Sequence, residues 1–201
     1  MEEVEAFTTT AMKNTEKTRP NQFTVVPQEV RRQYVRAAHA KNSGDVEITT
    51  TSGGKVLLKK EYLQEKGERL AKGQLVEVVK SFNEITFGLA FAQQQRLTIA
   101  YGAGENLRGG DVDATVRSGD KFVAVEMKTT VSRRYIEREI KEAIENPQTQ
   151  WLVFFYAGDE IELLRVEMES WRALLRHKPF PLVVDLYWVW QNRIQYIGRL
   201  E

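Results

Sequence analysis

The sequence predicts an α/β domain. Amphipathic segments of helical period alternate with short β-rich runs, as they do when helices cover a sheet. Residues 151–158 (WLVFFYAG) form a continuous apolar run of strand length, which suits a strand buried on both faces. Turn-forming residues join six further β-rich runs in pairs: Ser52-Gly53-Gly54, Arg117-Ser118-Gly119-Asp120 and Gln191-Asn192.

The chain has 201 residues and a mass of 23.2 kDa, enough for one cored domain with a modest elaboration. Its 29 Lys+Arg nearly balance 28 Asp+Glu, so affinity for a polyanion must come from local clusters. The absence of cysteine excludes disulfides, thiolate nucleophiles and cysteine-held zinc or iron–sulfur groups. The two histidines, His39 and His177, lie far apart, so a resident metal is expected on oxygen ligands. No run approaches the ~20 apolar residues of a bilayer span, and Met1-Glu2-Glu3 does not open a signal peptide. A cytoplasmic protein without a membrane partner is expected.

Residues 1–22 are polar and threonine-rich, without sustained period, and read as a mobile arm. Pro27 then opens a helix whose apolar side is Val30, Tyr34, Val35 and Ala38, with Arg31, Arg32, Arg36 and Lys41 on the other. A hairpin follows around Ser52-Gly53-Gly54. Leu75, Val78, Val79 and Phe82 mark a second helix over about residues 67–82. Residues 83–95 fit either helix or strand, and residues 96–102 fit a strand. Two paired strands then carry Asp111-Val-Asp113 and Glu126-Met-Lys128. Ser132 is an N-cap candidate for a helix that ends before Pro147. After the apolar run come a helix around residues 168–177 and a hairpin turning at Gln191-Asn192. The chain thus divides into an N-terminal arm, basic helix and hairpin (1–66), a core (67–158), and a C-terminal helix and hairpin packed on that core (159–201).

The chemistry concentrates in the middle hairpin. With Ser118-Gly119 as a two-residue turn, Arg117 faces Asp120, Asp113 faces Ala124 and Asp111 faces Glu126. Side chains alternate along each strand, so Asp111, Asp113, Glu126 and Lys128 fall on one face, and Val112, Val125 and Met127 on the other. Carboxylates gathered this closely repel one another unless a cation joins them. Mg²⁺ or Mn²⁺, which favour oxygen ligands, would remove the conflict. A solvated hairpin face is the plain alternative for Glu126 and Lys128 taken alone.

Asp113, the gap to Glu126, and Lys128 together resemble the active-site signature of the PD-(D/E)XK nuclease superfamily. The order of elements is similar to its αβββαβ core, and the resemblance covers about residues 67–158. It implies a restriction-endonuclease-like mixed sheet flanked by helices; the N-terminal helix–hairpin extension and the C-terminal helix–hairpin lie outside the resemblance. Within the superfamily, Lys72-Gly73-Gln74-Leu75-Val76-Glu77 looks like the opening helix of the archaeal Holliday-junction resolvases, which implies Glu77 as a further metal-site residue. The implied site is Glu77, Asp113, Glu126 and Lys128 with Mg²⁺ or Mn²⁺, and Asp111 competes with Asp113 as ligand. Gly109-Gly110 stand where many members carry a proline.

The resemblance implies a metal-dependent endonuclease acting on branched or double-stranded DNA, of resolvase or restriction type. Arg133, Arg134, Arg138 and Lys141 follow the motif directly and are candidate phosphate contacts, as are Arg31, Arg32 and the loop residue Arg108. A homodimer is expected, since a two-fold axis supplies matched sites for two strands. The aromatic C-terminal hairpin, with Tyr187, Trp188 and Trp190, is its candidate contact. Two alternatives stand beside this reading: a non-catalytic nucleic-acid-binding or assembly module that keeps the fold, and an RNA endonuclease recruiting His39.

Overall fold

The computed structural model describes residues 32–69, 83–102, 114–118, 121–146, 150–178, 180–191 and 193–201. Glu77, Asp111, Asp113, Arg108 and Arg31, the expected N-terminal arm and most of the expected second helix lie outside them. The elements are β1 (Val35–Ala40), β2 (Val46–Thr50), β3 (Lys55–Leu58), α1 (Lys60–Arg69), α2 (Asn83–Gln95), β4 (Thr98–Tyr101) and β5 (Ala114–Ser118), followed by β6 (Lys121–Thr130), α3 (Arg133–Glu145), β7 (Trp151–Tyr156), α4 (Ile161–Leu175), β8 (Val183–Trp190) and β9 (Arg193–Leu200). The nine strands among the described residues form one mixed sheet in sequence order. Only β3–β4, β6–β7 and β7–β8 are parallel, and each of these connections contains a helix, the crossover that a parallel pair requires.

The N-terminal region departs from the sequence expectation. Tyr34, Val35 and Ala38 have helical spacing, yet Val35–Ala40 is a strand that pairs antiparallel with β2. Helical spacing over one turn is a weak signal, and the ladder with Val46–Thr50 outweighs it. The next helix starts at Lys60 rather than near Gly67, within the stretch read as the hairpin's second strand. Its first backbone N–H, from Lys60, donates to Asp45 Oδ1 at 3.0 Å. The carboxylate that satisfies the helix start thus comes from the turn before β2, a contact with no local sequence signature.

The sheet separates two cores. Residues 85–92 of α2 are buried without interruption, as expected of a helix enclosed on all sides rather than amphipathic. This is why periodicity left residues 83–95 undecided. The helix crosses from β2–β4 to the far half of the sheet, where Phe87 stacks on Phe155 at 4.2 Å and Phe91 meets Trp151 edge-on at 5.2 Å. Tyr34, just before one edge strand, donates from its hydroxyl to Ile194 O on the other edge strand at 3.3 Å. The sheet therefore curls around α2 until its two edges meet. On the opposite face, Ile136, Ile140 and Ala143 of α3 and Leu164, Met168, Trp171 and Leu175 of α4 pack on Leu152, Phe154, Tyr156, Val184 and Leu186. β7 feeds both cores alternately, Val153 and Phe155 to one and Leu152, Phe154 and Tyr156 to the other, as its apolar run predicts.

The C-terminal hairpin is part of the sheet: β8 pairs with β7 and β9 with β8. Trp188 and Trp190 share a face, their rings stacked at 5.7 Å and 14°. Trp190 is 40% exposed, whereas Trp188 donates from Nε1 to Gly158 O at 2.9 Å. Tyr187 is not the surplus aromatic that the sequence suggested; it is buried among Phe91, Phe155 and Tyr196 in the α2 core. No helix among the described residues is long and apolar enough to cross a membrane.

Candidate active site

The site is built on β6 and α3. β6 lies between β5 and β7, and its register fixes which side chains leave each face. Ser118 pairs with Lys121, Arg117 with Phe122 and Thr115 with Ala124. The expected pairs Arg117–Asp120 and Asp113–Ala124 are therefore replaced by pairs shifted by two positions. A two-position shift preserves parity, so the face assignment survives. Val125 and Met127 join Ala114 and Val116 in the α2 core, while Glu126 and Lys128, paired in register with Leu152 and Phe154, leave on the α3 side.

α3 begins where the sequence places it. Ser132 Oγ accepts from the Tyr135 N–H at 3.3 Å, and Ile136, Ile140 and Ala143 turn inward. On a helix of 3.6 residues per turn, Arg133 and Glu139 then flank that buried stripe on opposite sides. Glu139 reaches β6: Lys128 Nζ lies 3.0 Å from Glu139 Oε2 and 2.6 Å from Glu126 Oε1. Arg138 Nη2 donates to the other oxygen of Glu139 at 3.1 Å, and its guanidinium sits over the Tyr135 ring at 4.9 Å. The Glu139 side chain is only 11% exposed. Arg133 takes the other side, paired with Glu160 and, at 3.0 Å, with Glu167, so it ties α3 to α4.

The electrostatics follow from these contacts. Burial alone would lower the Lys128 pKa, but hydrogen bonds to Glu126 and Glu139 overcome it and hold the ammonium above the ordinary lysine range. Burial would likewise raise Glu139, and Lys128 and Arg138 reverse the shift, keeping the carboxyl below its usual range. Lys128 is thus a fixed positive charge at neutral pH, suited to stabilising an anion and unsuited to accepting a proton.

Of the sequence-predicted residues, Glu126 and Lys128 are brought together. Arg133 is engaged by two carboxylates, Glu160 and Glu167. Arg138 pairs with Glu139, and Lys141 pairs with Glu137. Arg134 is exposed and has no ion-pair partner among the described residues. Arg32 is exposed, and Arg36 lies on β1 rather than on the basic helix expected to carry both, whose opening residues 27–31 lie outside the described ones. His39 is also on β1, opposite Glu47, and β2–β5 separate it from β6 within the sheet. Glu139 is not among the sequence-predicted residues. Its position beside the Ile136/Ile140/Ala143 stripe was the available signal.

The carboxylates around Lys128 Nζ are oxygen donors of the type that Mg²⁺ or Mn²⁺ takes, so the donor chemistry fits a hard divalent ion. No group of three or more His, Cys, Asp or Glu able to hold a metal occurs among the described residues. Glu77, Asp111 and Asp113, the other expected ligands, lie outside the described residues. No protein-family model, characterised protein or solved structure matches this chain.

Proposed function

We propose that the chain is a metal-dependent endonuclease hydrolysing DNA phosphodiester bonds, with a restriction-endonuclease-like core over α2–β4–β5–β6–α3–β7. One observation carries the reading: Glu126 and Lys128 leave the same face of β6 within a run of elements ordered helix, three strands, helix, strand. Glu126 would hold Mg²⁺ or Mn²⁺ together with Asp113, Asp111 and Glu77. The ion would supply Lewis acidity at a phosphate oxygen and a water of lowered pKa. Lys128, kept cationic, would stabilise the charge that grows on the phosphate in the transition state. Arg134, Arg138 and Lys141, along the exposed side of α3, would track flanking phosphates of branched or double-stranded DNA.

A two-fold dimer would present two such sites to two strands, with the half-exposed Trp190 at its contact. Sedimentation at tens of micromolar tests this, and a monomer only would remove it. The activity test is incubation with Mg²⁺, Mn²⁺ or EDTA against supercoiled plasmid, a four-way junction, single-stranded DNA and RNA. Metal-dependent cleavage of a DNA substrate is expected. A folded, Mn²⁺-supplied sample that cleaves none of the four removes the nuclease reading.

A second reading has its own support. Lys128 is held between two carboxylates, and the described residues contain no three-donor metal cluster. A non-catalytic DNA-binding module on this scaffold would have these features too. It predicts salt-sensitive DNA binding with no metal-dependent cleavage. His39 stands away from β6 in the sheet, which disfavours the RNA endonuclease built on it.

A further inference from the structure

The Lys128 ammonium stands on the Glu126 carboxylate that an incoming divalent ion would use. At 2.6 Å from Glu126 Oε1 it is the resident counter-ion of that carboxylate. A divalent ion on either oxygen of this carboxylate would stand within a few ångström of the ammonium, and the repulsion between the two cations drives Lys128 off Glu126 when a metal binds. A partly buried ammonium stripped of its partner is costly unless a second acceptor is already in place. Glu139 is that acceptor. Its Oε2 lies 3.0 Å from the same Nζ, and its other oxygen is held by Arg138, so the carboxylate is pre-positioned from α3 before any displacement.

We propose that Glu139 is a positioning residue that receives Lys128 when a divalent cation takes Glu126, making metal binding at β6 a cation exchange between strand and helix. This rests on the metal-site reading above and adds a residue to it that is not itself a ligand. No bond is made or broken covalently. The ammonium moves from a shared position onto Glu139, and the metal replaces it at Glu126. Glu139 therefore raises metal affinity only through Lys128.

The test is a double-mutant cycle read by Mn²⁺ binding, using electron paramagnetic resonance of free Mn²⁺ on the full chain. Glu139→Gln leaves Lys128 with Glu126 alone and is expected to weaken Mn²⁺ binding by about tenfold, within the usual span of a coupling between sites. Lys128→Met removes the competing cation and is expected to bind Mn²⁺ at least as tightly as the parent. In the Lys128→Met background, Glu139→Gln is expected to have no effect. A Glu139→Gln loss that persists without Lys128 overturns the proposal, because Glu139 then acts as a ligand or through the fold. An unchanged affinity in Glu139→Gln alone, or a loss in Lys128→Met, overturns it as well. If Glu139→Gln fails to fold, as circular dichroism would reveal, Glu139→Asp takes its place: its shortened carboxylate keeps the charge but not the 3.0 Å contact, and weakened binding that vanishes without Lys128 is again expected. A parent chain that binds no Mn²⁺ sinks the metal-site reading itself, whereas Mn²⁺ binding and cleavage indifferent to Glu139 sink this inference alone.

Discussion

Asp185 and Arg199 face each other across β8 and β9 as a buried carboxylate and its only cationic partner among the described residues. Arg199 donates from Nε to Oδ1 at 3.1 Å and from Nη2 to Oδ2 at 3.0 Å. Trp151 Nε1 and the Tyr196 hydroxyl complete the shell at 2.8 and 2.9 Å. The Asp185 side chain is fully buried, and β7, β8 and β9 each contribute to the network. Removing one member leaves an uncompensated charge or orphaned donors.

Asp185→Ala is therefore expected to destabilise the fold by about 3 kcal/mol, and Arg199→Ala by a similar amount. The two losses should be less than additive in the double variant, since the second removes a group the first has already orphaned. Urea unfolding of the four proteins measures this. Full additivity would show that the two side chains contribute independently.

Two adjacent glycines should respond differently to alanine. Gly53 has φ +95° with open space around it, so its substitution strains only the turn and costs about 1 kcal/mol. A Cβ on Gly54 would fall 2.0 Å from the Ala92 carbonyl oxygen of α2, where backbone on both sides must shift. Gly54→Ala is expected to cost more, about 3 kcal/mol. Equal costs in thermal or urea unfolding would mean that the hairpin does not press on α2 in solution.

Acid sensitivity should report the helix start. The hydrogen bond from Lys59, and then the Lys60 N–H, hold the Asp45 carboxyl below its ordinary range. With the folded pKa depressed, the stabilisation is complete above the unfolded-state value of about 3.9 and is lost as pH falls through the folded value. Asp45→Asn should lower stability at neutral pH and match the parent at the acid end. Denaturant midpoints across that range give the comparison, and parallel curves would exclude the role.

The arginines of α3 should separate into two classes. Arg133→Ala removes the tie to Glu160 and Glu167, so it should lower the unfolding temperature with little effect on the salt dependence of DNA binding. Arg134→Ala should leave stability unchanged, weaken DNA binding, and reduce the salt slope by about 1. Fluorescence anisotropy at several salt concentrations distinguishes them. A reversal would mean that Arg133 leaves its carboxylates for the phosphate backbone.

If the proposed nuclease activity holds, cleavage should depend on β6 itself. Glu126→Gln and Lys128→Ala are expected to remain folded and lose ~10²-fold or more in rate, the scale of losing an electrostatic catalytic group. Glu126→Gln should keep DNA affinity. Variants that cleave like the parent would place the chemistry elsewhere.

Where the physics is local, the sequence alone determined the structure. The apolar run of β7 could only be buried on both faces. Ser132 capped the start of α3, and alternation placed Glu126 and Lys128 on one face of β6 even though the turn register was read two positions away. Side-chain alternation has a period of two, so an even error in register leaves every face unchanged.

Tertiary contacts decided the rest, because nothing short-range encodes them. Val35–Ala40 became a strand through its ladder with β2, against the helical spacing of its apolar residues. Residues 83–95 became a helix whose stretch 85–92 is buried on every side by the curled sheet, which erases the periodicity that marks a surface helix. Glu139 joined Lys128, and Arg133 left the expected basic face, because α3 is set against β6 on one flank and α4 on the other. A single sequence records which side chains a helix carries. Only the packing of that helix determines which of them meet a lysine on a strand and which meet a second helix.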